Sequence, residues 1–215
     1  IPESIIVTDL ENRLILANEK AESIFNFSGN ELKGKTLGIV GFGTIGRSLV
    51  PMAEAFGMNI LYTNNSHEIE EYKTSEFVSY SNLDGVLSQS DYVVLLVPLS
   101  EETRHLITYS RLRKMKNSAV LINMSRGPVV HETDLVKGLK DNTIAGACLD
   151  VYEFEPRITE ELLDLPNTVL TPHIGTATKE ARKNMAECAA QNVIDVLETG
   201  KCANIINREY LEKFK

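Results

Sequence analysis

The stretch ELKGKTLGIVGFGTIG, residues 31–46, decides how the rest of the chain is read. An apolar run, Thr36–Val40, meets Gly41, Gly43 and Gly46 in the spacing G-x-G-x-x-G, and a helix-forming run follows over Ile45–Ala55. The three glycines serve a tight turn, close approach of a pyrophosphate to the backbone, and close helix–strand packing. The amides at the helix start then point at the phosphates. A glycine-rich turn alone is common and often holds nothing. Between a strand and a helix, in a chain of further such units, it predicts a dinucleotide site.

Those further units are present. Short apolar runs alternate with helix-length periodic ones from Thr36 onward, the pattern of βαβ units and a parallel sheet. Strands are expected at Thr36–Val40, Asn59–Tyr62, Tyr92–Val97, Ala119–Ile122, Ile144–Leu149 and Thr168–Leu170. Helices are expected at Ile45–Ala55, Asn82–Gln89, Tyr109–Met115 and Glu132–Lys140. A longer amphipathic run, Lys179–Glu198, carries Ala181, Met185, Ala189, Val193 and Val196 on one side and stops at Gly200. The continuous run YVVLLV suits a strand covered by helices on both faces. The expected fold is α/β, a doubly wound parallel sheet of Rossmann type, over residues 36–207, with 208–215 as a tail.

Bulk properties narrow the function. A net charge of −8 argues against nucleic acid as a partner, since such proteins present a basic field. No apolar run approaches the about 18 residues that span a bilayer, and no signal-peptide pattern opens the sequence. Cys148, Cys188 and Cys202 have no metal-ligand spacing, so no metal is expected and a reducing, cytoplasmic setting is. Cys148, inside an apolar strand, reads as core.

The glycine motif predicts an acidic residue at the end of the second strand, holding the adenosine ribose hydroxyls. The corresponding position is Asn64, and no carboxylate occupies 62–66. Loss of that charge admits a 2′-phosphate, yet no Lys or Arg lies between Asn59 and Tyr72 to attract one. The cofactor is therefore NAD or NADP, with a lean toward tolerance of NADP.

Three ionisable residues follow apolar strands in the second half: Arg126, Glu155 and His173. In open parallel sheets the carboxyl ends of strands share one edge, where ligands bind. The types suit hydride transfer at a hydroxyl-bearing carbon. Histidine exchanges the hydroxyl proton near neutral pH. A carboxylate orients the ring and stabilises its charged form. Arginine offers a planar fork to a substrate carboxylate. Singly, each has a plainer explanation: a turn Arg-Gly, loop punctuation at Glu-Pro, a packed turn histidine.

In this order, GFGTIG, VPLSEETRHLI, LINMSRGPVV, GACLDVYEFEP and LTPHIG resemble the cofactor-binding domain of the D-isomer-specific 2-hydroxyacid dehydrogenases, over about Glu31–Asn207. The resemblance implies that Arg126 binds the substrate carboxylate, that His173 is the general acid/base, and that Glu155 is its partner. It implies Asp150 near the nicotinamide end, with Pro98 and the backbone around Thr44 and Ile45 lining the cofactor groove. It also implies a small 2-oxo or 2-hydroxy acid as substrate and a homodimer; the long helix over 179–198 reads mainly as packing, against a second lobe or subunit.

The departure from the family lies upstream. Members carry a substrate lobe ahead of the ELKGKTLGI run, whereas 30 residues precede Glu31 here and do not resemble it. They read as strand (Ile5–Val7), polar turn, strand (Leu14–Ala17), then short helices at Glu19–Phe25 and from Ser28, with capping-box spacing between Ser28 and Glu31. This hairpin-plus-helix order, over about Ile5–Lys35, resembles the opening third of a PAS sensor domain. ELKGK is common to both patterns, so the expectation is a fusion or truncation in which a fragment, residues 1–35, replaces the lobe. Three functions follow: an NAD(P)-dependent oxidoreductase, a non-catalytic dinucleotide-binding or redox-sensing module, or an oligomerising scaffold. Turnover of a 2-oxoacid, cofactor affinity without turnover, and a dimer indifferent to nucleotide separate them.

Overall fold

A computed structural model of the chain describes residues 6–8, 14–17, 32–65 and 68–205. The expected short helices at 19–25 and from Ser28, with their capping box, lie outside the described residues. The chain divides into two compact units, Ile1–Pro172 and His173–Lys215.

In the first unit, β1 (Ile6–Thr8) and β2 (Leu14–Ala17) pair antiparallel as a separate two-stranded sheet, Ile6 opposite Ala17. The main sheet holds seven parallel strands: β3 (Thr36–Val40), β4 (Asn59–Thr63), β5 (Val78–Tyr80), β6 (Tyr92–Leu95), β7 (Val120–Asn123), β8 (Gly146–Leu149) and β9 (Thr168–Leu170). Their spatial order is β5-β4-β3-β6-β7-β8-β9. The winding reverses between β3 and β6, the doubly wound arrangement whose crevice takes ligands.

Alternation within single strands explains the continuous apolar runs. In β6, Val93 and Leu95 join one buried cluster with Leu121, Ile107 and Leu135, while Val94 joins another with Ile39, Tyr62 and Val78. Successive side chains of a strand point to opposite faces. Both faces of the sheet at β6 are thus dry cores, and this strand is apolar on both sides for that reason. Cys148 lies half-buried in β8, and burial pushes its thiol up to about 12.

The expected helix Ile45–Ala55 is two pieces, α1 (Thr44–Ser48) and α2 (Val50–Ala55). Pro51 lacks the N–H that would continue the ladder, so the chain restarts there. The later helices are α3 (Leu83–Gln89), α4 (Tyr109–Leu112), α5 (Glu132–Lys140) and α6 (Glu160–Leu163). Asn82 caps α3, its side chain accepting from the Gly85 amide at 2.8 Å. Strand β6 ends two residues earlier than the expected Val97. The short edge strand β5 and helix α6 were not expected, each being too brief to show a period.

The second unit is dominated by α7 (Lys179–Thr199), capped by Thr178, whose side chain accepts from the Ala181 amide at 3.1 Å. Gly200 ends it in the left-handed conformation, φ 68°. No residue of α7 is buried, so its apolar side is not core.

At the foot of the sheet, Asp91 ties β6 to β3. Its carboxylate accepts from the Thr36 amide at 2.8 Å and from Lys116 Nζ at 2.9 Å. Burial alone would raise the Asp91 carboxyl, but the Thr36 amide and the Lys116 ammonium outweigh it and hold the group below the ordinary Asp value. A carboxyl lowered in the folded state adds stability that is present above its unfolded pKa and lost as pH falls through its folded one. Asp91→Asn is therefore expected to lower stability at pH 7 by about 1–3 kcal/mol. The deficit should shrink as pH falls below about 4. Urea unfolding at pH 7 and pH 3 checks this, and a deficit independent of pH would refute it.

Candidate active site

The glycine turn leaves β3 at the reversal of the sheet. Gly41 has φ +101°, and a Cβ placed there would lie 2.8 Å from the Leu96 carbonyl carbon and the Val97 nitrogen. The turn thus runs directly over the segment leaving β6, which is why that strand stops at Leu95. A Cβ on Gly46 would meet the Gly41 carbonyl oxygen at 2.7 Å, so this glycine seats the helix against the turn. Gly43 differs. It is exposed, its backbone is extended, and a Cβ there would meet nothing within 4 Å.

Space is therefore left at Gly43, the middle glycine of the motif. Gly43 offers α1 no side-chain cap, and Thr44 and Ile45 beside it are exposed, Ile45 to 65%. An apolar side chain in water next to uncapped amides suits a groove that a dinucleotide would cover. Between the glycines, Phe42 turns inward and stacks on Tyr62, ring centroids 3.9 Å apart. The Gly41 amide donates to the Thr63 carbonyl at 3.0 Å, which sets half-buried Asn64 beside the turn at the end of β4. On the other side, Pro98 is exposed, and its carbonyl accepts from the Thr103 hydroxyl at 2.6 Å, fixing the turn after β6.

Asn123 of β7 and Leu149 of β8 are in register, as are Leu149 and Leu170 of β9, so the chain leaves these three strands at one edge. Arg126 is exposed there and its guanidinium donates to the Ser125 carbonyl at 2.7 Å. The buried Asn123 side chain donates to the Arg126 carbonyl at 3.1 Å and accepts from the Ser125 hydroxyl at 2.8 Å. Gly127 then passes against the next loop so closely that a Cβ would sit 1.8 Å from the Tyr152 carbonyl oxygen.

In the loop after β8, Asp150 is buried and accepts from the Thr171 hydroxyl at 2.6 Å. Glu155 is exposed and accepts from the Tyr152 amide at 3.0 Å. The Tyr152 phenol is pushed up to about 12, by burial first and then by the carboxylates of Asp150, Glu132 and Glu155. It stays protonated and donates to the Thr171 carbonyl at 2.8 Å. His173 opens the second unit with φ 54°, exposed.

One feature had no sequence signal. Glu153, whose side chain is 6% exposed, accepts from the Glu132 amide at 2.9 Å and meets His105 Nε2 at 2.5 Å. Glu132, 2% exposed, accepts from the Glu153 amide at 2.6 Å and from the Thr159 hydroxyl. His131 stacks edge-on against His105 at 4.7 Å and pairs with Asp134 at 3.2 Å. Contacts between residues up to 48 positions apart bind the loops after β6, β7 and β8 together. Among the described residues, no group of His, Cys, Asp and Glu suits a metal ion, and no helix is long and apolar enough to cross a membrane.

The family model for the D-isomer specific 2-hydroxyacid dehydrogenase NAD binding domain matches residues 11–175. A glyoxylate reductase of Thermococcus litoralis is 49% identical over 187 residues, 86% of this chain and 56% of that protein. Among solved structures, a glyoxylate reductase from Paecilomyes thermophila matches 96% of this chain and 69% of its own, with TM-score 0.77 and 32% identity. An NADPH-dependent glyoxylate/hydroxypyruvate reductase from Sinorhizobium meliloti, in complex with NADP and malonate, has TM-score 0.74 at 34% identity, covering 80% of this chain and 53% of that one. The chain spans a little over half the length of the curated relatives it matches. The family match begins inside the stretch likened to a sensor domain, and neither it nor the Paecilomyes structure supports that likeness.

The glycines yield a paired prediction. Gly43→Ala should leave the urea midpoint near the wild type, since the added methyl meets open space, and should weaken dinucleotide binding by about tenfold or more. Gly46→Ala should lower the midpoint, because its methyl meets backbone, at a cost of about 1–3 kcal/mol. Equal unfolding curves for the two variants would contradict this division of roles.

Proposed function

The chain belongs to the D-isomer specific 2-hydroxyacid dehydrogenase family through its NAD binding domain, and from that premise we propose that it serves an NAD(P)-dependent oxidoreductase of small 2-oxo and 2-hydroxy acids. The observation that carries this reading is the glycine turn at the sheet's reversal, blocked to side chains at Gly41 and Gly46 and open at Gly43. Residues 36–207 are the dinucleotide-binding domain in this reading, 208–215 a tail, and residues 11–35 fall within the dehydrogenase family match, which does not support a PAS sensor.

The bound nicotinamide would supply or accept the hydride at the substrate's second carbon. Gly41, Gly43, Thr44, Ile45 and Gly46 hold the pyrophosphate, with Asn64 at the adenosine ribose and Pro98 and Asp150 along the groove toward the nicotinamide. Arg126 grips the substrate carboxylate with its planar fork and polarises the carbonyl. His173 gives a proton to the carbonyl oxygen on reduction and takes it back on oxidation. Glu155 is the carboxylate proposed to support this acid/base step. A cytoplasmic homodimer completes the reading, the dimer supported by exposed apolar residues Met185, Val193 and Leu197 on α7.

Nicotinamide fluorescence on titration with NADH and NADPH, followed by glyoxylate, hydroxypyruvate and pyruvate, tests the proposal. Binding and oxidation of the cofactor are expected. His173→Ala should reduce turnover by about a hundredfold or more, a typical general-acid contribution, while leaving cofactor affinity nearly unchanged. Binding without turnover would favour a non-catalytic dinucleotide module, and no binding would remove both.

A further inference from the structure

Two of the three cysteines meet in the second unit. Cys188 lies within α7, exposed, and Cys202 lies half-buried two residues past the Gly200 that ends the helix. The left-handed turn at Gly200 sends the chain back along the helix it has just left. Asn204 thereby reaches Asn192 and Cys188, about two and three helical turns before that end.

Asn192 follows Cys188 by one turn, so the two side chains share a face of α7. The Asn192 amide stands between the two sulfurs. Its Nδ2 donates to Cys188 Sγ at 3.7 Å, and its Oδ1 accepts from Cys202 Sγ at 3.2 Å. Asn204 makes a second bridge, its Nδ2 donating to Asn192 Oδ1 at 2.9 Å and to Cys188 Sγ at 3.7 Å. Beside these contacts the returning segment borders a groove of about 310 Å³, with Val193, Val196, Leu197 and Ile205 in its lining. Thiols are weak hydrogen-bond partners, so the amide is held between the sulfurs only loosely.

We propose that Cys188 and Cys202 are a peroxide-responsive pair that closes to an intramolecular disulfide and fastens the segment 201–205 onto α7. Cys188, the more exposed of the two, meets the oxidant. Its sulfur attacks one oxygen of hydrogen peroxide, the O–O bond breaks, and the other oxygen leaves as water, giving a sulfenic acid. The Cys202 sulfur then attacks that sulfur, the S–O bond breaks, and a second water leaves as the S–S bond forms. Two thiols give up two electrons and two protons, and the peroxide is reduced to two waters. A disulfide needs its Cβ atoms about 3.5–4.5 Å apart, so Asn192 swings out of the gap and the returning segment closes on the helix. In a reducing compartment such a bond is transient, serving to report the oxidant rather than to hold the fold.

The test exposes the reduced whole chain, at micromolar concentration, to hydrogen peroxide. Free thiols are then alkylated, and the protein is digested with trypsin without reductant. Cleavage after Lys201 separates the two cysteines, into peptides 184–201 and 202–208. The expected product is these two peptides joined, lighter by the two hydrogens lost and parted by dithiothreitol. Joining within one chain should exceed joining between chains by about a hundredfold, the advantage of thiols held at millimolar effective concentration. Cys148→Ser should leave the product unchanged. Cys202→Ser should abolish it and drive Cys188 on to sulfenic and sulfinic acid, because the resolving thiol is gone. Wild type that over-oxidises at Cys188 as Cys202→Ser does, with no joined peptide, would overturn the pairing. Disulfides that form only between chains would overturn it equally.

Discussion

The cofactor end of this fold depends on one close approach: the backbone of Gly41 against the backbone of Leu96 and Val97. Two strands that neighbour each other but wind in opposite directions must send their loops apart, and a crevice opens between them. The crevice has a floor only if the two chains touch where they part. No side chain fits at that crossing, and the positive φ of Gly41 would strain any other residue. From this contact follow the early end of β6, the inward turn of Phe42 onto Tyr62, and the outward presentation of Gly43, Thr44 and Ile45.

The other half of the edge is organised by buried charge. Glu132 and Glu153 each accept the backbone amide of the other, so a nearly buried carboxylate satisfies a loop amide in both directions. Burying such groups is costly unless they are hydrogen-bonded, and here each has a second partner, Thr159 for one and His105 for the other. The geometry fixes loop register in a way that apolar contacts, which slide, would not. Arg126 and Glu155 lie on two of the loops held in this way, and the contact between Gly127 and Tyr152 adds a steric lock.

Most of the sheet was legible in sequence because its central strands are dry on both sides and carry unbroken apolar runs. Thr36–Val40 and Thr168–Leu170 match to the residue, as does helix Glu132–Lys140. The failures have local causes. Pro51 splits a helix whose apolar period continues across it, and the six-residue run at 92–97 outlasts its strand because a neighbouring loop, not its own composition, ends it. At the site, types and order pointed to Arg126, Glu155 and His173, since each follows a strand. The clamp of Glu132, Glu153 and His105 left no trace, because its partners lie 21 and 48 residues apart and no periodicity links them.

The strand position of Cys148 has a consequence for chemistry done on the protein rather than by it. With its thiol pushed up to about 12, the reactive thiolate is about one part in 10⁵ at neutral pH. Maleimides and haloacetamides will pass it over and modify Cys188 and Cys202, both in the second unit. Cys188 is exposed on α7, while Cys202 donates to Asn192 at 3.2 Å on the same helix. The sheet is thus chemically silent, and a fluorophore or spin label can be written onto the helix without altering a single core residue.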